Sequence, residues 1–140
     1  MSMELEISTE SGFLRVVSTG EFSLGEARRT FLEVLEAVAV HEAGKVLFDG
    51  RGLVGEPRTI ERFYYGSFVA RATSESVRRG RLSSLPQFAY VLEEPGLDPH
   101  RFGESVAVNR GMYLKAFDNL PEALGWLGIL SATNNGERSK

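Results

Sequence analysis

Two short, unbroken apolar runs constrain this chain more than anything else in it. Val46-Leu47-Phe48 lies between Lys45 and Asp49, and Phe88-Ala89-Tyr90-Val91-Leu92 is closed by the turn composition Glu93-Glu94-Pro95-Gly96. A run of that length with no polar alternate reads as a strand buried on both faces, so helices have to flank the sheet that contains it. The period ahead of the first run agrees. Leu24, Ala27, Phe31, Leu35, Val38 and Glu42 recur three or four apart, with Glu26, Arg29, Glu33 and Glu36 off that stripe, which is a helix with one core face. Ser23 is placed to cap it and Gly44 to stop it.

Ahead of that helix, Met3, Leu5 and Ile7 alternate with Glu4, Glu6 and Ser8. After the turn Thr9-Glu10-Ser11-Gly12, Leu14, Val16 and Phe22 take one side and Arg15, Thr19 and Glu21 the other, so the two segments form a hairpin. Gly50 to Pro57 reads as a glycine-rich connection, and residues 59–79 as a second helix, N-capped by Thr59 and frayed at Thr73-Ser74-Glu75-Ser76. Residues 80–86 read as a loop. Asp98-Pro99 opens a short third helix ending near Gly111, and Met112 to Phe117 is the last strand. Asn119, Pro121 and Glu122 start a closing helix through Leu130. The order β-β-α-β-α-β-α-β-α predicts an α/β protein: a single domain over residues 1–130 with a mixed β-sheet, an N-terminal antiparallel hairpin and right-handed βαβ crossovers. The polar tail, residues 131–140, is expected to be mobile.

Composition removes several classes of function. The chain has 140 residues, 42% hydrophobic and 25% charged, enough for one core and too apolar for disorder. Zero cysteines exclude disulfides, thiolate metal sites and a cysteine nucleophile. Without an apolar run near the roughly 20 residues of a membrane span, and with the acidic start Glu4-Leu5-Glu6, the expected location is cytoplasmic. Residues 1–70 carry 7 basic and 11 acidic groups and the rest carry 9 and 8, so neither half has the positive field that nucleic acid needs.

No catalytic constellation emerges. Gly50-Arg51-Gly52-Leu53-Val54-Gly55 is a literal G-x-G-x-x-G, which keeps a nucleotide-binding alternative open. Against it, Glu56 precedes Pro57, where helical geometry is disfavoured, and would set a negative charge beside the phosphates; the plainer reading is a flexible turn. His41 and His100 have no metal-ligand spacing, and Ser67 lacks the second glycine of a nucleophile elbow. The chain is therefore expected to be no enzyme and to need neither metal nor cofactor.

The second helix departs from a plain scaffold. Ile60, Phe63, Tyr64, Tyr65, Phe68 and Val69 spread over more than half of its circumference, wider than one core-facing stripe. Either a neighbouring helix buries the remainder or the surplus is an apolar pocket or a partner-binding face. Beyond it, Arg71, Arg78, Arg79 and Arg81 outnumber Glu75. They suit the helix C-terminus, or else anionic headgroups with Leu82 and Leu85 dipping beside them. Thr59 is the one hydroxyl residue between the buried strand and the aromatic stretch.

The element order, the strand Val46-Leu47-Phe48-Asp49, and the string Asp49-Gly50-Arg51-Gly52-Leu53 followed by Pro57, Glu61-Arg62-Phe63 and Phe68-Val69-Ala70 resemble the SpoIIAA-like family, a relative of the STAS domain of anti-sigma-factor antagonists. Asp98 to Glu104 and Asn109-Arg110-Gly111 resemble its third-helix region, and Leu120 to Leu127 its closing helix. The resemblance implies a four- or five-stranded mixed sheet, no catalytic machinery and a role in binding. STAS domains bind a regulatory kinase and a partner, and a serine before the second helix is phosphorylated; here the Asp-Ser pair of that loop is absent and only Thr59 is on offer. The family is also likened to SEC14-type lipid carriers, whose second helix opens over an apolar cavity.

The leading expectation is a non-enzymatic binding module. Ile60, Phe63, Tyr64, Tyr65 and Phe68 would take up an apolar or lipid-like ligand, a membrane surface or a protein partner, a second copy of the chain included, and Arg71, Arg78, Arg79 and Arg81 would orient an anionic group. The alternatives are a phospho-regulated interaction domain switching at Thr59 and a small nucleotide-binding protein using Gly50 to Gly55.

Overall fold

A computed structural model describes residues 3–94, 97 and 101–129. The Pro95-Gly96 half of the expected turn, the Asp98-Pro99 helix start, His100, Leu130 and the polar tail at 131–140 lie outside them. Five strands, β1 (Glu4–Glu10), β2 (Phe13–Glu21), β3 (Lys45–Val54), β4 (Gln87–Val91) and β5 (Tyr113–Phe117), form one sheet in sequence order among the described residues. β1 and β2 pair antiparallel, and every later neighbour pairs parallel. The helices α1 (Leu24–His41), α2 (Thr59–Arg78) and α3 (Phe102–Asn109) fill the crossovers, and α4 (Leu120–Leu127) follows β5. The mixed sheet with its N-terminal hairpin is as the periodicity predicts.

The two faces of the sheet are dressed unequally. Leu14, Val16, Val46, Phe48, Phe88, Tyr90, Leu114 and Ala116 meet Phe31, Val34 and Val38 of α1, Val69 and Ala70 of α2 and Ala107 of α3 in the main core. On the reverse face Leu47, Ala89, Val91 and Phe117 meet Ala123 and Leu127 of α4, with Leu120, Leu124, Trp126 and Phe13 packed around them. The unbroken runs thus alternate between two cores, which is why no polar residue interrupts them. Asp49 also lies on the reverse face, buried, with Arg51 donating to it from Nε at 2.9 Å and Nη2 at 2.8 Å, and with Arg15 at 3.7 Å. These charge-assisted bonds are what permit a buried carboxylate.

Local chemistry sets the helix ends. The Ser23 hydroxyl accepts from the Glu26 N–H at 3.2 Å, and the Asn119 side chain from the Glu122 N–H at 2.9 Å, as expected of N-caps. Four expectations need correction. α1 stops at Glu42 rather than Gly44: Glu42 takes the left-handed conformation (φ 51°), and the N–H groups of Glu42 and Ala43 both reach the Val38 carbonyl. The N-cap of α2 is Arg58 rather than Thr59, with the Arg58 N–H donating to the Glu61 carboxylate at 2.8 Å. α2 does not fray at residues 73–76, because Thr73 is fully buried and its hydroxyl donates to the Val69 carbonyl at 2.7 Å. α3 begins at Phe102, after a left-handed Arg101 (φ 54°).

α2 packs on α1 and α3 more than on the sheet. Its closest approach to α3 is at Gly66, where a Cβ would lie 2.7 Å from the Gly103 carbonyl oxygen and 3.2 Å from Val106.

Candidate functional site

Parallel strands joined by crossovers deliver every strand's carboxyl end, and every following helix's N-terminus, to one rim, the usual place for ligands in open α/β sheets. Here β3 runs past the point where β4 ends, and α2 starts above the gap. A cavity of about 140 Å³ lies beneath it. Its floor is Phe48 and Leu53 of β3, Tyr90 of β4 with Leu92 just beyond, and Leu114 and Ala116 of β5. Ala27 and Thr30 of α1, Arg62 and Tyr65 of α2, and Gly103 and Glu104 of α3 complete the walls, while Met3, Phe22, Pro57, Leu97 and Arg101 close the rim.

The lining is overwhelmingly apolar, and most of its polar groups are occupied. The Thr30 hydroxyl donates to the Ala27 carbonyl at 3.1 Å, and the Arg101 guanidinium to the Ala116 carbonyl at 2.7 Å while lying 3.5 Å from Glu104. Arg101 holds this position in a left-handed backbone conformation, a strained geometry for a non-glycine residue. At the rim, the Met3 N–H donates to the Glu26 carboxylate at 2.6 Å. The Tyr65 and Tyr90 hydroxyls bond to each other at 2.8 Å. Burial pushes both phenols well above their ordinary pKa; their mutual bond works against that rise at Tyr65 and adds to it at Tyr90, so both stay protonated across the physiological range.

Of the residues singled out in the second helix, Tyr65 is the one that lines this cavity; of the glycine motif, Leu53 and Gly55 do. The Tyr65 ring stands edge-on to Phe31 and Tyr90, 6.4 Å from each. Val69 is buried in the main core and Phe68 packs against it, whereas others of the stretch face outward. Ile60 and Tyr64 are 46% and 45% exposed, one turn apart. Phe63 is half-buried against Tyr64 and under Arg110, and Phe68 lies under Arg28. The arginines lie along the far half of α2. Arg78 and Arg79 both pair with Glu75, and Arg71 and Arg81 are exposed. None of Arg71, Arg78, Arg79 and Arg81 lines the cavity; Tyr65 and Arg78, thirteen residues apart on α2, stand about 20 Å apart at the helical rise. Leu82 is buried in the main core instead of dipping outward, whereas Leu85 is 45% exposed. Thr59 is exposed in the first turn of α2.

The glycine motif is corrected too. Gly50 to Val54 is strand, not a turn and not a phosphate loop: Gly52 pairs with Thr19, Leu53 with Gly20 and Val54 with Glu21. A Cβ at Gly50 would lie 2.7 Å from Leu92 Cδ2, and one at Gly52 2.7 Å from Thr19 Cγ2. These glycines admit neighbouring side chains, and the Arg51 N–H, which a pyrophosphate would need free, donates to the Asp49 carboxylate at 3.2 Å. Among the described residues no group of three or more His, Asp or Glu side chains could hold a metal ion, and no helix is long and apolar enough to cross a membrane.

No family model matches the chain, and no curated protein does. Solved structures do. A crystal structure of an anti-sigma factor antagonist from Mycobacterium paratuberculosis superposes with a TM-score of 0.58 at 17% identity, over 91% of this chain and 95% of that one. The fold is SpoIIAA-like. A second structure, an uncharacterized protein of the DUF3478 family with a SpoIIAA-like fold from Shewanella loihica PV-4, superposes with a TM-score of 0.51 at 13% identity, over 90% of this chain and 94% of that one. The SpoIIAA-like fold accounts for the strand order and the helix layers. Leu92 and Glu104, cavity-lining residues that the sequence reading did not single out for a site, sit just past a strand end and at a helix start; the rule that ligands bind at the carboxyl ends of parallel strands is a signal that could have found them.

Proposed function

We propose that this chain is a binding module that holds a small apolar ligand beneath the first half of α2. The observation that carries this is the cavity of about 140 Å³ at the carboxyl rim of the sheet, walled by Phe48, Leu53, Leu92, Leu97 and Leu114. An engineered apolar cavity of about 150 Å³ in another protein takes up benzene, so the natural fit here is a ring-sized hydrophobe. A full acyl chain would require α2 to move outward. The test is a ¹H–¹⁵N titration with toluene. Shifts are expected at the amides of Leu53, Leu92 and Tyr65, together with a raised melting temperature. Ala27→Leu, which extends a wall side chain into the space, is expected to remove both effects while the protein stays folded. A titration to the solubility limit of toluene that moves none of these amides overturns the proposal.

A second reading rests on the outer surface of the same helix. Ile60 and Tyr64 are exposed one turn apart, Thr59 is exposed beside them, and the fold is shared with an anti-sigma factor antagonist. Those residues would form a protein-partner face, with a phosphoryl group on Thr59 adding charge at a helix N-terminus. Intact-mass analysis after incubation with a kinase-competent lysate and ATP tests the switch: an unmodified Thr59 eliminates it.

A further inference from the structure

Two phenol hydroxyls bonded only to each other leave a proton over. In the Tyr65–Tyr90 pair one hydroxyl donates and the other accepts across 2.8 Å, and the accepting oxygen still carries its own hydrogen. Neither hydroxyl has another hydrogen-bond partner among the described residues. The bond is part-buried, with Tyr90 6% exposed and Tyr65 more open, so the spare hydrogen has little access to water when Tyr90 is the acceptor. An unsatisfied buried donor is unfavourable, and both tyrosines stand in the wall of the cavity.

Resting on the proposed function, we infer that the Tyr65–Tyr90 pair is the polar recognition element of the cavity, and that the ligand is an apolar molecule carrying a neutral oxygen acceptor of the carbonyl type, which receives the spare phenol hydrogen. An acceptor answers the orphan donor directly, whereas a pure hydrocarbon leaves it unsatisfied. A charged carboxylate would lose its hydration in a wall whose other side chains are mostly apolar. The raised phenol pKa values keep the donor protonated.

The test uses two probes of one shape, acetophenone and α-methylstyrene, which differ by C=O against C=CH₂. Acetophenone is expected to bind about three- to tenfold more tightly, the range of one hydrogen bond in a buried site. Its carbonyl stretch is expected to shift to lower frequency on binding. In Tyr65→Phe/Tyr90→Phe both polar partners are replaced by groups of the same shape, which leaves stability nearly unchanged; the two probes should then bind equally and the carbonyl shift should vanish. Each single variant keeps one hydroxyl, now with no partner, and is expected to retain the preference. Equal binding of both probes by the wild-type protein, or a preference that survives in the double variant, overturns this inference and leaves the apolar cavity standing. If neither probe binds, the ligand-binding reading itself fails.

Discussion

Gly66→Ala is the sharpest probe of the α2–α3 contact that walls the cavity. In an open helix interior the change adds about 1 kcal/mol of stability. At Gly66 the new Cβ would sit 2.7 Å from the Gly103 carbonyl oxygen and 3.2 Å from Val106 Cβ and Cγ1. The first of these is backbone and cannot swing away, so α2 has to lift off α3; overpacking of this kind costs about 1–3 kcal/mol. A clash with rigid backbone belongs at the upper end of that range, about 2–3 kcal/mol, so the contact dominates the propensity gain and the net expectation is destabilisation of about 1–2 kcal/mol. Gly125→Ala in α4 is the matched control, because nothing lies within 4 Å of its added Cβ; it should stabilise by about 0.5–1 kcal/mol. Urea unfolding followed by circular dichroism reads both. The signs should be opposite, with unchanged m-values. A Gly66→Ala protein as stable as the wild type would refute the reasoning, since it would mean that the two helices separate freely.

Other substitutions discriminate core from surface and test the buried charge. Phe31 is 1% exposed, with its ring 5.7 Å from Phe88 and 6.4 Å from Tyr65; Phe31→Ala should cost about 3–5 kcal/mol. Tyr64→Ala, at a position 45% exposed, should change stability by no more than about 1 kcal/mol in the same urea assay. The Asp49 carboxyl is held below its ordinary pKa chiefly by the side-chain bonds from Arg51, which outweigh its burial. Its contribution is therefore complete above the unfolded value of about 3.9 and is lost as the pH falls through the lower folded value. Asp49→Asn should be less stable than wild type at neutral pH and should lose less stability on acidification below about pH 4. Parallel acid limbs in the two proteins' pH–stability curves would show that Asp49 carries no such linkage.

The elements that depend on neighbours in sequence were legible in it. Alternation gave the hairpin, the three- and four-residue spacing gave α1, and Ser23 and Asn119 marked helix starts that their hydroxyl and amide oxygens do cap. What depends on neighbours in space was not legible. Gly50 and Gly52 look like chain breakers because the reason for them, the side chains of Leu92 just past β4 and Thr19 on β2, lies elsewhere in the sequence. The aromatic stretch of α2 is broader than one stripe, and that much is legible in the residue spacing. Its division into Tyr65, turned inward, and Ile60 and Tyr64, turned outward, follows from the position of α3. Most of the cavity is likewise assembled from single residues at the ends of separate elements, none of which forms a motif.

Met3 sits at the open margin of the sheet, and its N–H is tied to Glu26 while its side chain plugs the cavity rim. The outermost strand of the hairpin and the stopper of the chamber are thus one piece of chain, held sideways by a single neighbouring strand. Peeling that strand back uncorks the chamber and gives up its contacts with α1, the Met3–Glu26 bond among them. An affinity tag joined just ahead of Met3, or the loss of the Glu26 carboxylate, is accordingly expected to alter guest exchange before it alters melting.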